Sequence, residues 1–535
     1  EIYTLSLHDA LPIFGRMETL RELLERSGAV GRPGERFPLI LDESGRLYLY
    51  RFWKNQHDLA RLILSRVSAE AVEIDEARLA SGLLRLFPPL HGQTGKNLQC
   101  RAAENAVRRR FSVISGGPGT GKTSTVTDIL ALLGMQPEAE RNRIAITAPT
   151  GKAAARLKSA IRHALQRQEL SETIGPTVPD EVQTLHRLLG TVARASRFRY
   201  HGGNPLPFDT VILDEASMVA LPLMSALFEA LRPSARLLLL GDRDQLASVE
   251  AGAVLADICT AGEQVPGSEL ADSITILRHN YRFGEHSGIA ALSRAVNAGE
   301  VSRSLDLLRS GGPDGSLGLC FSAGTVEEQL ASKIVDGYRS FLGAESPAEA
   351  LDRLDGFRVL CALREGPYGS SGLNRSIAAT LERSGFLALP SATQFRKGVP
   401  VLVTVNDYAM QLFNGDVGVC FPDPHANGRI RVFFPLPEGG MRAVVPERIA
   451  GCEPAFAMTV HKSQGSEFRK VLLVLPPEPS AVLSRELLYT AVTRARERVE
   501  LFCRPEILRA TILNRTERRS GLVDYLRAKT EEKPL

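Results

Sequence analysis

The stretch SVISGGPGTGKTSTV, residues 112–126, decides the fold. Gly116, Gly121, Lys122 and Thr123 fill the pattern G-x-x-x-x-G-K-[ST]. An apolar run (Phe111, Val113, Ile114) predicts a strand before it, and Val126, Ile129, Leu130, Leu132 and Leu133 predict a helix after it. Strand, glycine loop and helix in that order make a phosphate-binding loop. Glycines let the backbone wrap closely, so that several N–H groups and the positive end of the helix face an anion. The cradle comprises Gly116, Gly117, Pro118, Gly119, Thr120, Gly121, Lys122, Thr123 and Ser124. Lys122 would reach the β/γ-phosphates, and the Thr123 hydroxyl would hold Mg²⁺.

Working outward, the run TVILDE (210–215) ends in Asp214 and Glu215. Carboxylates at the C-terminal end of a strand reach the sheet edge where ligands bind in open α/β folds. Asp214 is expected to coordinate Mg²⁺, and Glu215 to polarise the water that attacks the γ-phosphate. The next strand-like run, RLLLLGDRDQL (236–246), brings Gln245 to the same edge as a γ-phosphate sensor or water-orienting group. Two arginines, Arg282 in LRHNYRF and Arg494 in YTAVTRARERV, are candidate transition-state fingers. A guanidinium offers planar, bidentate donors to the charge that builds on phosphoryl oxygens. Arg496 and Arg498 read instead as a solvated helix face.

The bulk numbers narrow the class. A chain of 535 residues predicts three or four domains at roughly 100–200 residues each. With 65 basic and 61 acidic residues, the net charge is only +4. A nucleic-acid surface must therefore be a local groove. Seven cysteines, scattered and never in C-x-x-C spacing, argue against zinc or a disulfide framework and fit a reducing cytoplasm. No apolar run approaches the roughly 18–20 residues of a membrane span. The opening EIYTLSLHDALPIF lacks the marks of a signal peptide, and residues 1–16 read as a non-native leader.

Residues 17–95 mix helical patterns with one strand-turn-strand signal, FPLILDESGRLYLYRFW, and predict a mainly helical, partner-docking domain. From about 96 to 274, alternating short strands and helices predict a parallel sheet covered by helices. A basic and aromatic hairpin is expected at about 190–208 within it. A second αβ unit follows at 275–508, with an all-β, barrel-like insertion at about 395–450 and a helix over 485–500. Residues 509–535 read as a basic, solvated tail.

Other segments suit a DNA strand. Thr150, Gly151 and Lys152 in APTGKAAARL offer N–H and side-chain donors to backbone phosphate. His186 in TLHRLL, with Thr459 and His461 in MTVHKSQGSEF, add hydroxyl and imidazole groups at loop–helix junctions. Neither histidine has a second ligand at zinc spacing. Phe198, Tyr200 and Tyr408 are candidates for base stacking.

The ordered set GGPGTGKT, APTGKAAARL, TLHRLL, LDEASM, LLGDRDQL, LRHNYRF, TVHKSQGSEF and ELLYTAVTRARERV resembles the motif series of superfamily 1 helicases over about residues 97–503. Gln99, seventeen residues ahead of Gly116, matches the family's adenine-reading glutamine. Within that superfamily, VTVNDYAMQLFNGDVGV and the pre-motor LYLYRFWKNQHDLA resemble the RecD family, the alpha subunits of exodeoxyribonuclease V (RecBCD). The resemblance implies an α/β protein with two RecA-like parallel-sheet P-loop NTPase lobes, a pin-like hairpin and an SH3-like insertion in the second lobe. It further implies ATP and Mg²⁺ as cofactors, 5′→3′ unwinding of DNA in double-strand-break repair, RecB-like and RecC-like partner subunits, and a nuclease on a partner. A stand-alone helicase of the same type and a mainly regulatory subunit are the competing readings.

Overall fold

The computed structural model describes residues 4–6, 17–69, 73–88, 97–137, 142–167, 182–191, 197–248, 250, 252–284, 286–320, 326–388, 395–407, 409–436, 439–516 and 520–531. The chain opens with a four-stranded sheet rather than helices alone. Its strands β1 (Thr4–Ser6), β2 (Val30–Gly31), β3 (Leu39–Leu41) and β4 (Arg46–Leu49) lie in the order β1-β4-β3-β2. Thr4–Ser6, within the stretch read as a leader, pairs antiparallel with Arg46–Tyr48. The strand-turn-strand signal is the β3–β4 hairpin, with Ile40 opposite Tyr48. Its turn needs the left-handed backbone of Gly45 (φ 75°).

The sequence YRFW, read with that hairpin, instead begins the helix Tyr50–Val67. This helix buries Leu59, Ala60, Ile63 and Val67 on one face against the helix Leu221–Ala230 of the first lobe. Arg66 is buried beside them and donates to the carbonyls of Leu231, Arg232 and Ala235, at 3.2, 3.0 and 2.9 Å. These acceptors follow the C-terminus of the helix, where carbonyls lack intrahelical partners. The N-terminal domain is thereby joined to the first lobe.

The first lobe is a six-stranded, all-parallel sheet made of β5 (Phe111–Gly116), β6 (Ile144–Ala148), β7 (Val182–Thr184), β8 (Thr210–Leu213), β9 (Arg236–Gly241) and β10 (Ile274–Leu277). Its order is β10-β5-β9-β8-β6-β7. Because Ile274–Leu277 pairs with β5, this lobe extends to 277, past the boundary at 274 expected from sequence. The hairpin expected at 190–208 is present around Gly202–Gly203, where His201 and Asn204 exchange backbone hydrogen bonds. Residues 192–196 of it lie outside the described residues. Phe198 and Tyr200 pack against the core of the first lobe and do not stand free for stacking, while Tyr408 lies outside the described residues.

The second lobe is a five-stranded parallel sheet of β11 (Leu317–Cys320), β12 (Phe357–Cys361), β18 (Ala457–Thr459), β19 (Phe468–Val474) and β20 (Ala495–Phe502), in the order β11-β20-β19-β12-β18. The insertion supplies β13 (Pro400–Val403), β14 (Val417–Asp423), β15 (Arg429–Pro435), β16 (Met441–Val444) and β17 (Cys452–Pro454). They form an antiparallel sheet ordered β16-β15-β14-β13-β17. Its all-β character matches the expectation, but no pairing of β16 with β17 closes it among the described residues.

Two further expectations are corrected. The helix expected over 485–500 ends at Val492, and residues 495–502 are strand β20. The β-branched Val492 and Thr493 lead into a strand whose core face is apolar (Val499, Leu501). The tail is not solvated either. After the helix Pro505–Leu513 it crosses back, and the helix Leu522–Glu531 packs on Val254–Gln264 of the first lobe and on Tyr50–Val67. Leu522 and Leu526 are fully buried there. Arg46 pairs with Asp524 at 2.6 Å, and Trp53 Nε1 donates to the Tyr525 hydroxyl at 3.1 Å. LYLYRFW, read as docking sequence, thus directs Tyr48 and Trp53 inward and leaves Leu49 exposed. Among the described residues, no helix is long and apolar enough to cross a membrane.

Candidate nucleotide site and inter-lobe cleft

The phosphate loop leaves β5 at Gly116 and enters the helix Lys122–Gly134. Gly119 and Gly121 both take φ 83°, a left-handed backbone that side chains disfavour. Thr120 Oγ1 closes the turn by donating to the Gly117 carbonyl at 2.8 Å. Lys122 Nζ folds onto its own loop, donating to the carbonyls of Gly116 (2.5 Å) and Gly117 (3.1 Å). Phosphate oxygens would draw it off these neutral acceptors, because a phosphate adds charge–charge attraction to the ammonium's hydrogen bond. Thr123 is partly exposed and Ser124 exposed on the first turn of the helix.

Gln99 stands at the loop. Its Nε2 points to the Thr120 carbonyl at 3.5 Å, and its Oε1 accepts from the Tyr281 hydroxyl at 3.0 Å. Tyr281 belongs to LRHNYRF, which lies directly on the phosphate loop. Asn280 Nδ2 donates to the Pro118 carbonyl (2.8 Å), and the Tyr281 N–H donates to that of Gly119 (2.8 Å). A Cβ at Gly119 would come within 2.5 Å of the Arg282 Cβ. Arg282 Nη2 donates to Glu467 at 2.7 Å, while its buried Nη1 has no partner.

Glu467 is a hub that sequence reasoning passed over. Arg156 from the first lobe pairs with it, as do Arg282 and Arg496, the last at 3.0 Å. Arg496 is therefore no mere solvated face residue. Burial by itself would raise the Glu467 carboxyl, but Arg156 and Arg282 outweigh burial and hold it at about 2. Arg494 is buried, donating to the carbonyls of Thr490 and Ser466, both at 3.2 Å. These acceptors belong to its own lobe, so the structure places Arg282, not Arg494, against the phosphate loop.

Asp214 directly follows β8, and its Oδ1 accepts from the Glu215 N–H at 2.8 Å. Glu215 takes a left-handed backbone (φ 52°), a strain that turns its side chain out of line with the strand. Burial and then Glu215 push the Asp214 carboxyl up to about 6. Such a crowded pair of carboxylates is relieved by a cation. Asp214 and Thr123 present the oxygen chemistry that Mg²⁺ takes with phosphate and water oxygens completing its shell. Among the described residues, no group of three or more His, Cys, Asp or Glu could hold a metal ion. Gln245 is buried, its Nε2 bonded to Asp242 at 3.1 Å and its Oε1 without a partner.

Of the expected DNA contacts, the Thr150–Lys152 segment lies where the two lobes meet. Thr150 Oγ1 accepts from the Ala153 N–H (3.2 Å) at the start of the helix Gly151–Arg167. A Cβ at Gly465 of the second lobe would stand 3.7 Å from that of Ala153 on the first. Thr459 is buried, its Oγ1 accepting from the Lys462 N–H at 3.3 Å. Gly151 faces the Phe413 ring of the β-insertion, and Lys152 is pulled down by burial, with Asp355 and Asp416 nearby. His186 is exposed, just beyond edge strand β7. Asn280, Tyr281, Arg156, Glu467 and Tyr489 were all inside quoted motifs, but only folding gives them partners.

Residues 99–251 match the AAA domain family, and residues 454–502 match the UvrD-like helicase C-terminal domain. The RecBCD enzyme subunit RecD of Haemophilus influenzae is 36% identical over 525 residues, covering 89% of this chain and 80% of that protein. Its counterpart in Mycobacterium tuberculosis is 41% identical, covering 90% and 80%. The ATP-dependent RecD2 DNA helicase of Deinococcus radiodurans is 30% identical, covering 85% of this chain and 54% of that protein.

Proposed function

The chain belongs to the RecD family of superfamily 1 helicases, and from that premise we propose how its cleft works. It is an ATP-hydrolysing DNA helicase subunit. The observation that carries the mechanism is that Arg282, adjoining the phosphate loop at Gly119, is tied through Glu467 to Arg156 of the other lobe.

Gln99 reads the adenine edge. Residues Gly116–Ser124 bind the phosphates, with Lys122 released from its loop carbonyls. Thr123 and Asp214 would hold Mg²⁺, which would supply charge neutralisation on the phosphoryl oxygens. Glu215 accepts the proton of the attacking water and Gln245 orients it. Arg282 stabilises the transferring phosphoryl with its free Nη1, and Arg494 is a second donor that acts once the lobes close further. Single-stranded DNA crosses Thr150, Gly151 and Lys152, with His186, Thr459 and His461 alongside. Motion is 5′→3′, and RecB-like and RecC-like subunits complete the complex.

DNA-stimulated ATP hydrolysis tests the core of this reading. Lys122→Gln is expected to abolish it, and a variant with full turnover would sink the assignment. Polarity is checked on tailed duplexes, where unwinding only from 3′ tails would refute the direction. Co-purification with RecB-like and RecC-like subunits separates a complex subunit from a free helicase.

A further inference from the structure

We propose that Tyr489 is a positioning residue that fixes the orientation of the Gln245 side chain only when the two lobes are in contact. The proposal rests on the ATPase reading above, in which Gln245 orients the attacking water.

The geometry is a three-member relay across the cleft. Tyr489 lies on the second-lobe helix Arg485–Val492, and its hydroxyl donates to Asp242 Oδ2 at 2.9 Å. The same oxygen accepts from Gln245 Nε2 at 3.1 Å, and Oδ1 accepts from the Asp244 N–H at 3.1 Å. All three side chains are out of solvent, with Asp242 1% exposed and Gln245 and Tyr489 each 5% exposed. The hydroxyl also stands 2.8 Å from where a Cβ on Gly117 would lie, so the relay abuts the phosphate loop.

Chemistry fixes the direction of every bond. An ionised carboxylate only accepts, so the Gln245 amide must present its NH₂ to Asp242 and its carbonyl elsewhere. That carbonyl, Oε1, is buried and unpartnered. An unmet buried acceptor is costly, and it is the group that a water held for in-line attack would donate to. The relay therefore holds one half of the amide and leaves the other half ready.

Contact between lobes makes the relay conditional. The residue after Tyr489, Thr490, accepts the Leu246 N–H on Oγ1 at 2.8 Å. Gln464 Nε2 donates to the Leu246 carbonyl at 2.5 Å. Asp242 to Leu246 is thus gripped by the second lobe at both ends. When the lobes part, Asp242 loses its phenol donor and the Gln245 amide is free to turn, leaving the water unheld.

The test is Tyr489→Phe in the full chain, which keeps the ring and removes one oxygen. Single-stranded DNA-stimulated turnover should fall about tenfold, the scale of a group that orients another through a hydrogen bond. Affinity for a fluorescent ATP analogue should stay within about twofold, and the Tyr489→Phe/Gln245→Ala double variant should be no slower than Gln245→Ala. Unchanged turnover, equal loss of binding and turnover, or multiplicative losses in the double variant would overturn the proposal. Should Tyr489→Phe melt below the assay temperature, Asp242→Asn, with the same geometry and one acceptor fewer, must show the same turnover loss. A wild-type chain without DNA-stimulated turnover would instead refute the underlying ATPase reading.

Discussion

Arg156 of the first lobe and Glu467 of the second form an ion pair across the cleft, and the same carboxylate holds Arg282 beside the phosphate loop. One acidic side chain therefore connects the helix Gly151–Arg167 with the phosphate loop.

Removing that carboxylate should unlatch the cleft. The Glu467 carboxyl is held at about 2 against an ordinary 4.5, which corresponds to a stabilisation on the order of 3 kcal/mol near neutral pH. Because the folded value is the depressed one, the stabilisation is full above about 4.5 and fades as pH falls toward 2. Urea unfolding of wild type and Glu467→Gln should differ most at pH 7 and converge in acid. A gap that widened in acid would contradict the assignment.

Arg282→Ala should lower DNA-stimulated turnover by about 10³-fold, the scale of an arginine finger, with ATP affinity altered by less than about threefold. Arg282→Lys should not rescue it, since an ammonium lacks the fork that engages Glu467 and a phosphoryl oxygen together. Single-turnover and binding measurements separate the two effects.

Gly119→Ala combines two penalties. The left-handed backbone costs about 1–2 kcal/mol with any side chain, and the new Cβ meets Arg282. Gly45→Ala carries only the first, because nothing lies within 4 Å of its added Cβ. Both variants should melt lower, but only Gly119→Ala should lose turnover, by about 10²-fold for a displaced arginine.

The C-terminal helix should behave as core. Leu526→Ala is expected to cost about 2–5 kcal/mol, whereas exposed Arg527→Ala should stay within about 0.5 kcal/mol. Denaturant unfolding of the two variants checks this, and equal stabilities would mean that the helix does not dock in solution.

Much of the site was legible before folding. Gly116–Thr123, Asp214 and Gln245 sit at strand ends, and strand ends are visible as apolar runs that stop at polar residues. Glu467 and Tyr489 were not, because neither departs from its local pattern. Their importance comes from partners 311 and 247 positions away, Arg156 and Asp242. The segment 495–502 misled for a related reason. Its charged residues at 496, 497 and 498 mimic a polar helix face, and pairing with β19 and β11 overrides that preference.

The sequence by itself determined the chemistry of this protein. A phosphate cradle, a carboxylate pair and a glutamine just past a strand end are local devices, set by residue type and by the periodicity of a few flanking residues. Only the tertiary structure decided which arginine reaches the phosphate loop and that the last helix returns to bury Leu522 and Leu526 beside the N-terminal domain. Those outcomes depend on contacts between residues far apart in the chain. Their free energy appears only after strands from both ends of a lobe have been brought together, and no local pattern encodes it.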